Sequence, residues 1–231
     1  MALDKVIGKF LGRRGFSLSK DIPISYIIGK GSKYTFDIIR GAYRRIGLGD
    51  VGSNLMVGRH VSLQMKKNIF LGNSVRLEDG VKVDALSVGG VHMGNSVKIG
   101  SNSIVACTGS LKELGKGLSI GNNSSFSEYS YFGAAGGISI GNDVISGQNV
   151  RFHSENHRYK DKEKLIRQQG VEHKGIKIGN NVWIGAGAVF LDGAQVADGC
   201  VVAANSVVRG HYPENKVIGG VPSRILKGRF D

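Results

Sequence analysis

The chain of 231 residues has only three prolines, two cysteines and one tryptophan, and aromatic residues make up 7% of it. So little proline beside 36 glycines excludes both a collagen-like chain and a disordered Gly/Pro tract. Cys107 and Cys200 are predicted to be buried free thiols rather than a disulfide or metal ligands. No apolar run reaches 18 residues, which excludes a transmembrane helix of ordinary length. The opening Met-Ala-Leu-Asp-Lys has neither a continuous apolar stretch nor a small-residue cleavage site, so no signal peptide is expected and the predicted location is cytoplasmic. Acid is scarce too: 18 Asp and Glu stand against 31 Lys and Arg, a net charge of +13. Residues 1–45 hold ten of the basic side chains and three acids, or +7. Nucleic acid, an acidic membrane leaflet and an anionic cofactor are the partners such a balance admits. No supporting motif or interleaved aromatic residue favours nucleic acid.

What the chain has instead is a period of six. Ile178, Ile184, Phe190, Val196, Val202 and Val208 recur at that interval, and the position four residues after each of the first five is small or β-branched (Val182, Ala188, Ala194, Cys200, Ser206). Six matches neither the 3.6 of a helix nor the 2 of a half-buried strand. It is the period of a chain that turns a corner every six residues and sends one aliphatic side chain inward per face. Three faces close a coil of about 18 residues, and stacked coils bury their faces on one another. The expected architecture is mainly β, a parallel solenoid. Less regular repeats begin near Val57 and continue through Leu71, Leu77, Val83, Met93, Ile99, Val105, Ile120, Phe126, Ile140 and Phe152, with slips at Gly89–Gly90 and 110–118. The recurring Ile-Gly-Asn suits corners, because Gly and Asn tolerate a left-handed backbone.

Three regions break the period and set the expected domain organisation. Residues 1–50 read as a basic helical cap. Leu3, Val6, Ile7, Phe10 and Leu11 form one amphipathic set; Phe36, Ile39, Tyr43 and Ile46 form another, with Lys33, Arg40 and Arg44 on its polar side. Asp21-Ile-Pro and Gly29-Lys-Gly31 are expected to break the chain between them. Such a cap closes the end of a repeat array, and its basic face also suits peripheral contact with the inner membrane. The solenoid spans 51–212, and within it 153–177 is His-rich and highly charged, so it must project as a loop. The tail, 213–231, leaves the coils, and Pro222 predicts the first turn of a short C-terminal helix.

Three motifs lie late in the chain: Asn156-His157-Arg-Tyr-x-Asp161, Ile178-Gly-Asn-Asn-Val-Trp183-Ile-Gly-Ala-Gly-Ala-Val, and Gly219-Gly-Val-Pro-Ser-Arg224. Together they resemble the hexapeptide-repeat O-acetyltransferases, in particular the galactoside, maltose and bacterial polysaccharide enzymes, over about residues 55–228. The resemblance implies a left-handed parallel β-helix, an exception to the right-handed crossover rule. It also implies a homotrimer with acetyl-CoA sites between subunits, no metal, and a sugar or polysaccharide hydroxyl as acceptor. His157 takes the position of the family's catalytic histidine. An alcohol is a poor nucleophile while protonated, and an imidazole titrating near neutrality suits its activation.

The resemblance places Asn156, Tyr159 and His153 on the acceptor side. It places Trp183, Ala186 and Ala204 along the donor channel, and Arg224 and Lys227 at its phosphates. The family often carries a lysine where this chain has Gly210, and Arg209 is the adjacent substitute. Trp183 is expected to face outward, since it follows an inward valine. Three other readings remain. One is N-acetylation of a nucleotide-linked amino sugar by the same fold and base. Another is a non-catalytic binding solenoid. The third is a zinc enzyme of the γ-carbonic anhydrase type, which would need three converging imidazoles, nominally His153, His157 and His173.

Overall fold

The computed structural model describes residues 17–19 and 21–231. The amphipathic set at 3–11 lies outside them. From Asp50 the chain winds as a three-faced parallel β-helix. The first face stacks eight short strands from Asp50–Val51 to His211–Tyr212. The second stacks nine from Met56–Val57 onward, and the third seven from Ser62–Gln64 to Val207–Val208. Residues in equivalent coil positions pair in register, as Ile138 does with Ile176 and Phe152 with Phe190. This is the hexapeptide-repeat solenoid, consistent with the expected left-handed winding.

The periodic residues all point inward. Ile178, Ile184, Phe190, Val196, Val202 and Val208 are buried, as are Val182, Ala188, Ala194, Cys200 and Ser206 in the small slots. Both cysteines are free and buried. Under the third face the core becomes an aromatic column: Phe132 stacks on Phe152 with centroids 5.1 Å apart, and Phe152 on Phe190 at 4.8 Å. At the corner between the first and second faces, the Ile-Gly-Asn repeats build a polar ladder. The backbone N–H of Asn73 donates to Asn95 Oδ1, Asn95 to Asn122, Asn122 to Asn142, Asn142 to Asn180, and Asn180 to Asp198, at 2.7–2.9 Å. Each side chain thus satisfies a corner N–H that no strand partner reaches.

Helix α1 spans Ile24–Arg44, so Gly29 and Gly31 do not break the chain as expected. Both lie in open space within the helix, where no neighbour exploits their freedom to turn. The helix packs on Met56–Val57, the open edge of the second face. A Cβ on Gly41 would sit 1.9 Å from the Leu55 carbonyl oxygen, so only glycine permits this approach. Arg40 Nε donates to the Val57 carbonyl at 2.9 Å, Lys33 Nζ bridges Asp37 and Asp79 at 3.3 and 3.2 Å, and Asp37 is buried between Lys33 and Arg40. Lys33 and Arg40, on the basic side of the helix, therefore face the coil.

The expected C-terminal helix is absent. Lys216–Gly220 and Ser223–Gly228 instead form an antiparallel hairpin that ends the second face. Gly220, at φ +104°, and Pro222 make the turn. Tyr212 Oη donates to the Ser223 carbonyl at 2.8 Å and holds the returning strand. Proline here serves the turn rather than a first helical residue.

Candidate functional site

Every departure from the coil between the third and first faces leaves by the same edge. The slips near Gly89–Gly90 and at 110–118 are loops there, and residues 154–175 form a longer arm between strands Arg151–His153 and Ile176–Ile178. The arm carries a short antiparallel ladder, Asn156 opposite Glu172 and His157 opposite Val171, and one turn of 3-10 helix at Ile166–Gln168.

Its root is anchored at two points. Asp192 is only 9% exposed and accepts N–H bonds from Lys174 (2.9 and 3.0 Å) and Gly175 (2.7 Å). Across the edge, His173 Nε2 lies 2.8 Å from Glu155 Oε2, and its Nδ1 lies 3.7 Å from Glu113 in the neighbouring loop. Lys116 Nζ donates to the His173 carbonyl at 3.3 Å. His173 is thus paired with carboxylates at the arm's root, and among the described residues no cluster of three such side chains is placed to hold a metal.

Between the arm and the third face lies a cleft of about 990 Å³, lined by Asn156, His157, Tyr159, Asp192 and Arg209 among others. It brings together the candidate base, two of the candidate acceptor residues and the guanidinium of Arg209. His157 and Tyr159 are exposed to the solvent that fills the cleft. His153 stands on the outer side of the third face, its ring tilted against Tyr131 at 5.3 Å. Partial burial, and then the charge of Arg151, lower its pKa and so favour the neutral imidazole. Burial also pushes the Cys107 thiol up to about 12, so it is no nucleophile at neutral pH.

The candidate donor residues stand elsewhere. Trp183 lies on the second face between Ile145 and Val201, and its ring projects outward, 56% exposed, as expected. Ala186 and Ala204 lie at the corner between the second and third faces. Their N–H groups donate to no protein acceptor among the described residues, which fits the amide-bearing pantetheine arm of a coenzyme A thioester. Arg224 and Lys227 are exposed on the C-terminal hairpin. Arg209, placed by its sequence position with the phosphate-binding residues, stands in the arm cleft with His157 instead. Two clusters result, on different edges of one chain. Asp192, Glu155 and Glu113 have no motif that marks them: their partners are residues far along the chain, met only once the coils stack or the arm closes on itself.

The chain is similar to several known proteins. A family model described as bacterial transferase hexapeptide (six repeats) matches residues 175–210. The putative lipopolysaccharide biosynthesis O-acetyl transferase WbbJ of Escherichia coli is 31% identical over 140 residues, which are 57% of this chain and 71% of that protein. The probable acetyltransferase Rv3034c of Mycobacterium tuberculosis is 29% identical over 70% of this chain, a match that spans half its own length. The galactoside O-acetyltransferase of Escherichia coli is 34% identical over 39% of this chain and 43% of its own. In fold, the chain is similar to AntD, an N-acyltransferase from Bacillus cereus solved with dTDP and 3-hydroxybutyryl-CoA. The two share 18% identity over 82% of this chain and 88% of that one, with a TM-score of 0.55.

Proposed function

The chain belongs to the hexapeptide-repeat acyltransferases, and from that membership we propose that it is an acetyl-CoA-dependent O-acetyltransferase acting on a sugar or bacterial polysaccharide hydroxyl. The observation that carries the reading is the arm cleft, where His157 meets Asn156, Tyr159 and Arg209 in a space that would admit a sugar. His157 accepts the proton of the acceptor hydroxyl as its oxygen attacks the thioester carbonyl. The carbon–sulfur bond then breaks, and the departing thiolate takes the proton back from the imidazolium. Asn156 and Tyr159 hold the acceptor by its neighbouring hydroxyls, while His153 stands outside the cleft lining. Arg209 suits an anionic group on the acceptor, such as a carboxylate or phosphate, better than it suits a distant donor phosphate.

The donor lies along Trp183, Ala186 and Ala204, with its phosphates toward Arg224 and Lys227. A homotrimer would unite the two clusters by setting the arm of one chain beside the second face of the next. Support comes from that face, whose outer side carries exposed Ile145 and Trp183 beside half-buried Val201 and Val217, an apolar stripe suited to subunit packing. The name of WbbJ favours an O-linked acceptor over a nucleotide-linked amino sugar. Turnover of acetyl-CoA against a panel of sugars, nucleotide sugars and polysaccharide fragments tests the reading. His157→Ala should lose about a hundredfold or more in kcat with donor affinity little changed. Full turnover in that variant would overturn the role of His157, and turnover with amino sugars alone would overturn the acceptor class.

A further inference from the structure

Helix α1 is amphipathic in the unusual direction. Its polar side supplies the contacts to the coil, through Lys33, Asp37, Arg40 and Gly41, and Tyr34 Oη accepts a bond from Arg76 at 3.1 Å. Its apolar side is left outside. Ile24, Ile28, Phe36, Ile39 and Tyr43, with Ile46 just beyond the helix, are each between 47% and 74% exposed. At 100° per residue these six fall within about a third of the helix circumference, one stripe interrupted by Ser32 and Thr35. A cap that needed only to close the first coil would turn this stripe inward.

We propose that α1 is an interfacial anchor, which seats the open end of the solenoid on an anionic lipid bilayer through its apolar stripe rather than its basic side. Charge selects the occupant. Between Ile24 and Arg45 the sequence has five basic residues and one acid, and that acid, Asp37, is buried and paired. Lys30, Arg44 and Arg45 remain exposed on the rest of the helix surface, and Lys66 bonds the carbonyl of Ile46 at the end of the stripe. Residues 1–16 add four basic side chains against one acid. A second copy docked on the stripe would bring these like charges together, whereas an anionic headgroup layer neutralises them. No helix among the described residues is long and apolar enough to cross a membrane, so α1 would lie in the plane of the interface. An acetyltransferase held this way would meet lipid-borne glycans at the bilayer surface. The anchor itself is independent of the chemistry in the arm cleft.

The test is sedimentation of the full chain with phosphatidylcholine vesicles made with and without phosphatidylglycerol. The full chain should pellet with the anionic vesicles and less so as salt rises. Ile28→Glu with Ile39→Glu should weaken that binding by about tenfold or more, with circular dichroism and oligomeric mass unchanged. Lys30→Glu with Arg44→Glu, which touches no contact to the coil, should weaken it on anionic vesicles alone. The proposal is overturned if the wild-type chain stays in solution with both vesicle types, or if the Ile28/Ile39 variant pellets as well as wild type. A changed oligomeric mass in that variant would overturn it as well, since a second copy would then cover the stripe.

Discussion

Replacement of Asp192 by alanine should free the arm while leaving the coils wound. The Asp192 carboxylate takes three N–H contacts from two residues, Lys174 and Gly175, where the arm rejoins the first face. Those two amides have no other acceptor among the described residues once the carboxylate is gone. Hydrogen bonds to a charged acceptor contribute about 1.5–3 kcal/mol each. Loss of one such anchor on each of two amides, partly offset by entering water, should cost about 3 kcal/mol, or roughly a hundredfold in the local opening equilibrium. Hydrogen exchange resolved by residue should show that rise at Lys174, Gly175 and the 156–172 ladder, with the Phe152–Phe190 strands still protected. Because the arm carries His157, kcat should fall by about tenfold or more while urea unfolding of the coils shifts little. Asp192→Asn, which keeps one acceptor oxygen, should fall between. Wild-type exchange in the arm of Asp192→Ala would refute the anchoring role.

The aromatic column should be the costliest place to cut. Phe152→Ala removes a ring stacked between Phe132 and Phe190 and should lower unfolding free energy by about 3–5 kcal/mol in urea. A loss below about 1 kcal/mol would mean the column collapses freely. Asp198 ends the corner ladder as its lone carboxylate among asparagines. Hydrogen bonds from the Asn180 side chain and backbone lower its pKa, so its stabilising effect is present above the usual carboxylate range and is lost as pH falls through the depressed value. Asp198→Asn keeps the acceptor and should flatten stability against pH in that acidic window; parallel acid-denaturation curves would contradict this.

The interior of this protein was legible because each coil repeats the same solution at the same interval. The inward residues from Ile178 to Val208 follow from periodicity alone. Trp183 follows from its place after an inward valine. The arm was visible as a charged gap that no core could hold. What escaped was set by contacts distant in sequence. Gly29 and Gly31 read as breaks because their tolerance depends on lying where no coil packs against the helix. Pro222 read as a helix start, because nothing local reveals that Tyr212 holds the returning strand. The outward turn of the α1 stripe was hidden too: the amphipathic pattern shows that two sides differ, and only Arg40, Gly41 and Asp37 meeting the Leu55–Val57 edge decide which one faces the coil. The arm's fasteners join residues 18 apart: Asp192 meets Lys174 only after the next coil is laid down, and Glu155 meets His173 only after the arm folds back on itself.

The central claim is that one chain's imidazole works with another chain's donor channel. Co-expression of His157→Ala with Ala204→Trp, each inactive alone, tests it directly. Random mixing in a threefold assembly should restore about a quarter of wild-type turnover, since a competent site needs one intact element from each of two chains. Mixed assemblies no more active than their two parents would contradict the shared site.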